Sequence, residues 1–316
     1  MSRHLAMGPG AEFDAVRALL AQWGPAAVGV GDDGAVLDVP PGSRLVVSTD
    51  STVEGIHFRR PWLTPAEVGW RATQAALSDL AAMGAAPLGV LLALTVPADW
   101  RGALGELAEG IGAAANAAGA PIVGGDVVDG DRLALAITAL GHTARPLSRA
   151  GASPGDTLFV TGSLGGPGAA LAAWERGDVP AAAARDRFAR PIARLGAGAW
   201  LAAHGASAAI DLSDGLAGDA GHLAAASGVR CVLTLDTVPC HEGVNVADAL
   251  MSGEEYELLV AAPALDGRAF AQANAGLTLT PIGRVEAATG KAGEVVAERD
   301  GRPAPLPAVH DHFAGR

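Results

Sequence analysis

Apolar residues recur at helical spacing in several parts of the first half of the chain. Residues 11–23 predict an amphipathic helix. Its apolar side carries Phe13, Val16, Leu20 and Trp23. Thr64 and Glu67 have the spacing of a capping box, so a second helix is expected from there to Gly84, and a third should end at Gly119. Continuous apolar runs typical of strands occupy 44–49, 88–95, 121–125 and 132–140.

The second half repeats this alternation after a loop-like stretch, RPLSRAGASPGD, at 145–156. We place a domain junction there, which divides the chain into domains 1–145 and 146–316. A glycine-rich segment at 161–171 lacks the G-x-G-x-x-G spacing and predicts a simple strand–loop–helix turn. Strands alternating with helices in both halves predict an α/β protein. Further strands are expected at 157–162, 208–212, 229–235, 256–262 and 277–283, with helices at 181–189 and after Asp214.

Aspartates directly follow several of these apolar runs. Asp50 follows RLVVST, Asp126 follows PIVGG, and Asp214 follows AAIDLS. A carboxylate at the end of a buried run is costly unless a cation neutralises it, and oxygen ligands favour hard cations such as Mg²⁺. The sequence therefore predicts a site for several metal ions. The acidic clusters lie at 31–36, 48–58, 77–85, 124–126, 211–215 and 252–258.

Each of these residues also has a plainer structural interpretation. Asp79 shares a helical face with a stripe of small apolar residues, so it points toward a core or cleft unless it is a solvated helix end. GDDG at 31–34 is typical of a turn, and Asp214 could cap a helix while it also binds metal. His57 has no second His or Cys at ligand spacing, which favours an anion-binding or structural role. The stripe consists of Ala72, Ala75, Ala76 and Met83.

Composition excludes several classes of function. A net charge of −12 and a single lysine, Lys291, argue against nucleic-acid binding. No GK[ST] sequence is present for a Walker A phosphate loop. No apolar stretch is long enough to span a membrane and the N-terminus lacks a signal-peptide pattern, so we expect a cytoplasmic protein without membrane partners. Cys231 and Cys240 are too far apart for a CxxC motif.

The ordered series of motifs resembles the thiamine-monophosphate kinase family, whose superfamily includes aminoimidazole ribonucleotide synthetase and selenophosphate synthetase. The match extends from about residue 29 to residue 313. Single motifs are weak signals, whereas the whole series in order is a strong one. The series reads GDD, STD-x-x-VEG-x-HF, LSDLAAMGA-x-P, GGD, SR-x-GA-x-PGD, IDLSDGL-x-x-D-x-GH, GE-x-YEL, IG and a terminal DHF.

The resemblance implies a fold and a reaction. Members of the family have two α/β domains, and the N-terminal domains of two subunits join into a shared β-barrel. The active site lies in a cleft near that dimer interface. The reaction transfers the γ-phosphoryl group of ATP onto the phosphate of thiamine monophosphate, with several Mg²⁺ ions. We therefore expect a homodimer whose partners are ATP and thiamine monophosphate, and no dedicated catalytic residue.

The resemblance also implies a role for individual residues. Those expected to bind Mg²⁺ are Asp33, Ser48, Thr49, Asp50, Asp79, Asp126, Asp211 and Asp214. Those expected to contact ATP are Gly125, Asp126, Arg149 and Ser213. Those expected to contact thiamine monophosphate are His57, Glu254 and His310.

The chain departs from the family pattern at a few positions. Ala76 stands where an Asn is common, and Val127 and Val128 replace a Thr pair after GGD. His310 replaces a terminal aromatic residue, which weakens stacking on the substrate. The alternatives are another ATP-dependent enzyme of the superfamily, such as aminoimidazole ribonucleotide synthetase, and a nucleotide-binding regulatory protein without turnover.

Overall fold

A computed structural model describes His4 and residues 11–288, 290 and 293–307. The chain divides into two units, each with its own sheet. The N-terminal unit comprises the described residues up to Leu80, Ala85–Ala144 and Ala189–Ala193. The C-terminal unit comprises Ala81–Gly84, Arg145–Phe188 and the described residues from Arg194 onward. Within the described part of the chain, no helix is long and apolar enough to cross a membrane.

The N-terminal unit contains a four-stranded mixed sheet in the order β1-β4-β2-β3. The strands are β1 Arg44–Val53, β2 Ala86–Val96, β3 Ile122–Asp129 and β4 Ala134–Thr143. The helices are α1 Ala11–Trp23, α2 Pro65–Ala82 and α3 Leu104–Ala118, with 3-10 turns at Gly24–Ala26 and Ala98–Ala103. The capping box is confirmed, because the Thr64 amide donates to Glu67 Oε2 at 2.9 Å and the Glu67 amide to Thr64 Oγ1 at 3.2 Å. The helix at 11–23 is confirmed as well.

The two faces of this sheet differ sharply in burial. One face, which we call the helix face, carries side chains such as Leu92 and Ile137 that are 2% and 1% exposed. The opposite, open face carries Val47 and Val128 at the two edges, 55% and 48% exposed. Apolar side chains on an exposed sheet face usually mark an interface. In the structure, alternation along each strand therefore separates a packed side from an uncovered one.

The C-terminal unit contains a seven-stranded mixed sheet in the order β11-β10-β7-β9-β5-β8-β6. Helices cover it on both faces, since β5 places Leu158 in a core with α7 and Phe159 in a second core with α6 and α9. The strands are β5 Thr157–Thr161, β6 Ala208–Asp211, β7 Val229–Thr234, β8 Leu258–Ala262, β9 Leu279–Ala287, β10 Val295–Arg299 and β11 Arg302–Ala304. The helices are α4 Gly166–Glu175, α5 Ala182–Ala189, α6 Leu195–Ala203, α7 Leu216–Ser227, α8 Val246–Met251 and α9 Gly267–Ala273, with a 3-10 turn at Leu235–Thr237.

Three details differ from the expectations. Strand β8 begins at Leu258 rather than at 256, because Tyr256 has a left-handed φ of 53° that no strand residue adopts. Helix α7 begins at Leu216 with Gly215 as its N-cap, so the suggestion that Asp214 caps this helix is wrong. Strands β10 and β11 were not predicted, since their sequence is short and mixed in polarity.

Candidate functional site

The first acidic group lies on the helix face of the N-terminal sheet. Ser48 and Asp50 project from edge strand β1, and the Ser48 hydroxyl donates a hydrogen bond to Asp79 Oδ2 on α2. Asp79 and Asp50 are both half-buried. The small stripe on α2 predicted that Asp79 points toward a core or a cleft, and Ala72, Ala75 and Ala76 are buried. Two carboxylates and a hydroxyl on one face form an oxygen-only donor set that suits Mg²⁺.

Asp126 lies elsewhere in the same sheet. The register aligns Asp50 with Ile137, Leu92 and Gly125 across the sheet, so Asp126 is one position further along β3 and points to the open face. Since β1 and β3 are the two edges, the strands that carry Asp50 and Asp126 are three spacings or about 14 Å apart. Within one chain these carboxylates do not meet at one ion.

Two other predicted residues of this unit are Thr49, on the open face, and Gly125, in edge strand β3. Thr49 is exposed there, and its hydroxyl accepts from Thr138 Oγ1 at 3.3 Å. Gly125 pairs with Leu92, and a Cβ at this position would lie 2.1 Å from the Leu92 carbonyl oxygen, so the strand requires glycine. The glycine therefore has a packing role that is independent of any nucleotide.

Asp33 lies in an exposed bend before β1. Its amide donates to Oδ1 of the preceding residue, Asp32, at 2.9 Å. The Asp33 side chain itself is exposed. The structure therefore leaves its carboxylate open to solvent and does not bring it into the Ser48–Asp79 contact.

His57 is held in one orientation by a single neighbouring residue. Its amide donates to the Val53 carbonyl at 3.0 Å, and its Nδ1 accepts from the Val53 amide at 3.1 Å. Because Nδ1 accepts, the neutral ring carries its proton on Nε2 and can donate it. Glu54 stabilises the same loop by accepting from Arg60 Nε at 2.8 Å and from Trp100 Nε1 at 2.7 Å. A fixed Nε2 donor suits a phosphate oxygen.

The second acidic group lies in the C-terminal unit at the end of β6. Asp211 is the last residue of that strand and is buried, whereas Ser213 is exposed and Asp214 is half-buried. Asp219 on α7 accepts from the Ser213 and Asp214 amides, both at 3.1 Å through Oδ2. Burial raises the pKa of the Asp219 carboxyl to about 7. Asp219 therefore fixes the loop that presents Asp214.

Asp214, Asp219 and His222 bring one ligand atom each within 4.8 Å of one another. Asp219 and His222 were not singled out from the sequence, although both fall inside the DLSDGL-x-x-D-x-GH motif. Their spacing from Asp214 places them on the first turns of α7, and this spacing could have identified them from the sequence.

Glu254 is hydrogen-bonded to the loop that carries the second acidic group. The Glu254 amide donates to the Ser213 carbonyl at 2.8 Å, and the Tyr256 hydroxyl donates to Glu254 Oε2 at 2.6 Å. Glu254 is thus attached to the same loop as Asp214 and stays half-buried. The next acids, Glu255 and Glu257, are buried and were missed as functional residues, although they stand in the same motif.

Arg149 lies in an exposed loop whose backbone is tied to α7. Ser227, the last residue of α7, donates to the Arg149 carbonyl at 2.8 Å and accepts from the Gly151 and Ala152 amides at 3.2 and 3.1 Å. The Arg149 side chain is exposed, which suits contact with an anion. His310, the remaining predicted residue, lies outside the described residues.

Comparisons with known proteins identify the family of the chain. Residues 31–143 match the family profile of the AIR synthase related protein, N-terminal domain, and residues 153–296 match that of its C-terminal domain. The chain is 36% identical over 303 residues to the thiamine-monophosphate kinase of Salmonella typhimurium, covering 90% of this chain and 92% of that protein.

Solved structures show the same similarity. The crystal structure of thiamine-monophosphate kinase from Stenotrophomonas maltophilia K279a superposes with a TM-score of 0.78 at 32% identity, covering 96% of this chain and 100% of that one. AaThiL complexed with AMPPCP and TMP superposes with a TM-score of 0.75 at 29% identity, covering 98% and 100%. With both domain profiles matched and a kinase relative similar over nearly its full length, the chain belongs to the AIR synthase related family and, within it, to the thiamine-monophosphate kinases.

Proposed function

We propose that this kinase transfers the γ-phosphoryl group of ATP directly, in line, to the phosphate of thiamine monophosphate and produces thiamine diphosphate. The observation that carries the proposal is the Ser48–Asp79 contact beside Asp50, an oxygen-only donor set in a chain similar to thiamine-monophosphate kinases. The complex of a relative with AMPPCP and TMP supports the same pair of substrates.

In this proposal some residues of the site bind the phosphates of the substrates, and others bind Mg²⁺. The acceptor is already an anionic phosphate oxygen, so the reaction needs no strong general base and depends on charge neutralisation and alignment. Asp50 and Asp79, with Ser48, would hold Mg²⁺ in the N-terminal unit, and Asp211 and Asp214 would hold it in the C-terminal unit. Bound Mg²⁺ supplies the positive charge that two polyanions need to approach each other.

Two side chains orient the substrates in this proposal. The Nε2–H of His57 donates to the acceptor phosphate, since its Nδ1 is occupied by the Val53 amide. Arg149 binds a phosphate of ATP from a loop that Ser227 fixes. Glu254 contacts the organic part of thiamine monophosphate, with Tyr256 holding its carboxylate.

The test is a panel of acceptors assayed with ATP and Mg²⁺. We expect ADP release with thiamine monophosphate and none with free thiamine, hydroxymethylpyrimidine phosphate or aminoimidazole precursors, because an anionic acceptor is bridged by metal rather than deprotonated. Equal phosphorylation of free thiamine would refute the assignment. Binding of ATP without turnover on any acceptor would favour a regulatory protein instead.

We further propose that two chains pair through their N-terminal units into a shared β-barrel. Strands β1 and β3 are the two edges of this sheet, and the open face between them exposes apolar side chains such as Val47. Asp50 and Asp126 lie on opposite edges and on opposite faces of the sheet, so in this arrangement the two carboxylates would bind separate ions. A symmetric pair would place β1 of one chain beside β3 of the other.

The oligomeric state tests the barrel. We expect a homodimer that forms through the N-terminal units and persists on dilution to nanomolar concentration, because pairing would cover the apolar open face and the sheet edges. Sedimentation and mass photometry, combined with an activity assay at the same concentrations, measure this. A fully active monomer would contradict the barrel.

A further inference from the structure

The two acids that follow Glu254 in the SGEEYEL segment point into the interior of the C-terminal unit. Glu255 and Glu257 are only 2% and 1% exposed. Charged residues at this depth need partners, since an unpaired buried carboxylate is far more costly than a buried hydroxyl or amide. The sequence alone shows three acids in four residues, whereas the structure separates one that faces outward from two that face inward.

The Glu255 carboxylate contacts three separate parts of the C-terminal unit. Its Oε1 accepts from the Gly165 amide in the loop before α4 and from the Ser252 hydroxyl after α8, both at 2.5 Å. Arg187 on α5 lies 3.5 Å from Oε2, and its guanidinium also donates to the Glu255 carbonyl oxygen at 3.3 Å. One side chain therefore joins two loops and a helix at a single point.

Glu257 is held by a second set of ion pairs and hydrogen bonds next to Glu255. Arg194 meets its carboxylate through two nitrogens, at 2.8 and 2.5 Å, and Arg187 donates to it at 3.0 Å. Thr161 on β5 adds a hydrogen bond at 2.6 Å. Arg187 thus bridges the two buried carboxylates, which fixes the backbone of residues 255–257 against β5 and α5.

The backbone on either side of Glu255 is strained. Glu254 and Tyr256 have φ values of 63° and 53°, a left-handed conformation that costs a non-glycine residue about 1–2 kcal/mol. Such residues persist only where their surroundings over-determine the conformation. Here the surroundings are the Glu255 contacts on one side and, on the other, the amides of Glu254 and Tyr256, which donate to Ser213 and Leu212 at 2.8 and 2.9 Å.

We propose that Glu255 is a positioning residue for the acceptor substrate, a role that rests on the function proposed above. Its buried carboxylate holds residues 254–256 in the left-handed turn, and this turn directs Glu254 outward beside Tyr256 and attaches it to the Ser213 loop. Glu254 then meets thiamine monophosphate with a preset orientation. Loss of Glu255 would let the turn relax, so Glu254 would have to be ordered again in each binding event.

The kinetic test compares Glu255→Ala with Glu255→Gln. The alanine variant loses both hydrogen bonds, and we expect its KM for thiamine monophosphate to rise about ten- to a hundred-fold, because a displacement of about 1 Å is enough for such a loss. Its KM for ATP should stay within about twofold of wild type, since Arg149 and the metal ligands keep their own supports. The glutamine variant keeps an oxygen for Gly165 and Ser252 and should stay near wild type.

A double mutant separates positioning from general destabilisation. In a Glu254→Gln background, Glu255→Ala should raise the KM for thiamine monophosphate no further, because the residue through which it acts is already lost. A fall in melting temperature with both KM values unchanged, or an equal rise of both, would overturn the inference. If the alanine variant does not fold, Glu255→Asp replaces it, with a shorter carboxylate and an intermediate rise expected.

Hydrogen exchange distinguishes a failure of this inference from a failure of the proposed function. In Glu255→Ala without substrate, the amides of Glu254 and Tyr256 should exchange faster, while amides within β8 stay protected. Unchanged exchange at these two amides refutes the positioning role, whatever the substrate. Wild-type protein that does not phosphorylate thiamine monophosphate refutes the proposed function, and the exchange result still decides whether Glu255 holds the turn.

Discussion

The two units use the same residue types in opposite ways. In the N-terminal unit Asp33, Asp50, Asp79 and Asp126 are exposed or half-buried, and they lie in a loop, on the two edge strands and on α2. In the C-terminal unit Asp211, Asp219, Glu255 and Glu257 are buried, between 1% and 5% exposed. Asp219 and Glu255 accept backbone N–H groups there, and Glu257 meets two arginines. Asp219, Glu255 and Glu257 are thus buried acids with a structural role, whereas the N-terminal aspartates remain accessible to a cation.

This difference shows where binding and rigidity reside. An accessible carboxylate keeps its hydration and can still bind a cation. A buried carboxylate loses its hydration and is tolerated only with partners, which here also fix the backbone. The C-terminal unit couples the two types: Asp219 holds the loop of Asp214, and Glu255 holds the turn of Glu254. The N-terminal unit lacks such a buried acid beside Asp50 and Asp79 among the residues that the structure describes.

The largest effect is expected for the accessible ligands. Asp50→Asn or Asp79→Asn should lower kcat by about a hundred-fold or more, because a metal that neutralises transferring phosphates is worth several kcal/mol. Both variants should melt at or above the wild-type temperature in EDTA, since two neighbouring carboxylates repel each other without a cation. Kinetics at saturating Mg²⁺ and calorimetry in EDTA check this, and near-normal turnover would remove the residue from the ligand set.

Opposite behaviour is expected for a scaffold acid. Asp219→Ala leaves the Ser213 and Asp214 amides without their acceptor, and each buried unsatisfied N–H costs about 1–3 kcal/mol. The free energy of unfolding should fall by about 2–4 kcal/mol in metal-free buffer. Asp219→Asn keeps an oxygen acceptor and serves as the matched control, with a much smaller loss. Denaturation with urea measures both, and an alanine variant as stable as wild type would contradict the scaffold role.

Much of this fold follows from the sequence. Apolar periodicity and the Thr64–Glu67 capping box place α1, α2 and the strands of both sheets except β10 and β11 within a few residues. The stripe on α2 also predicts that Asp79 points toward a core or a cleft, whereas its contact with Ser48 on β1 is seen only in the structure. These features are local, so propensity and spacing determine them.

The roles of the acids are not local. Whether Glu254 or Glu255 faces outward depends on Gly165 and Arg187, which are distant in sequence, and on left-handed φ values that residue types other than glycine rarely adopt. The position of Asp126 on the far edge depends on the strand order β1-β4-β2-β3, which no spacing reveals. The motifs therefore supply candidate residues for the site, and long-range packing decides where each side chain points.

A smaller effect should appear in the pH dependence of stability. Burial raises the pKa of Glu255 from its usual value of 4.5 to about 7. The folded state therefore binds more protons than the unfolded state between these values, and the free energy of unfolding falls as the pH rises from about 4.5 to about 7 and is level above. The loss is on the order of 3 kcal/mol.

Glu255→Gln should remove this part of the slope, because the amide does not titrate. Urea denaturation of wild type and variant from pH 5 to 8 gives the difference directly. The two curves should converge at low pH, where the carboxyl is neutral, and separate as the pH rises, with the variant the more stable. Parallel curves would mean that Glu255 titrates as an ordinary carboxyl, contrary to its burial.

The smallest effect concerns Ser227, whose hydroxyl ties the end of α7 to the Arg149 loop. Ser227→Ala removes one donated and two accepted hydrogen bonds in a partly exposed place, so the loop should loosen at a cost of about 1 kcal/mol. The KM for ATP should rise about three- to tenfold, while the KM for thiamine monophosphate is unchanged. In an Arg149→Ala background the same substitution should have no further effect, because the hydroxyl acts on ATP only through that loop. Additive losses in the double mutant would separate Ser227 from Arg149 and leave the scaffolding role to the buried acids alone.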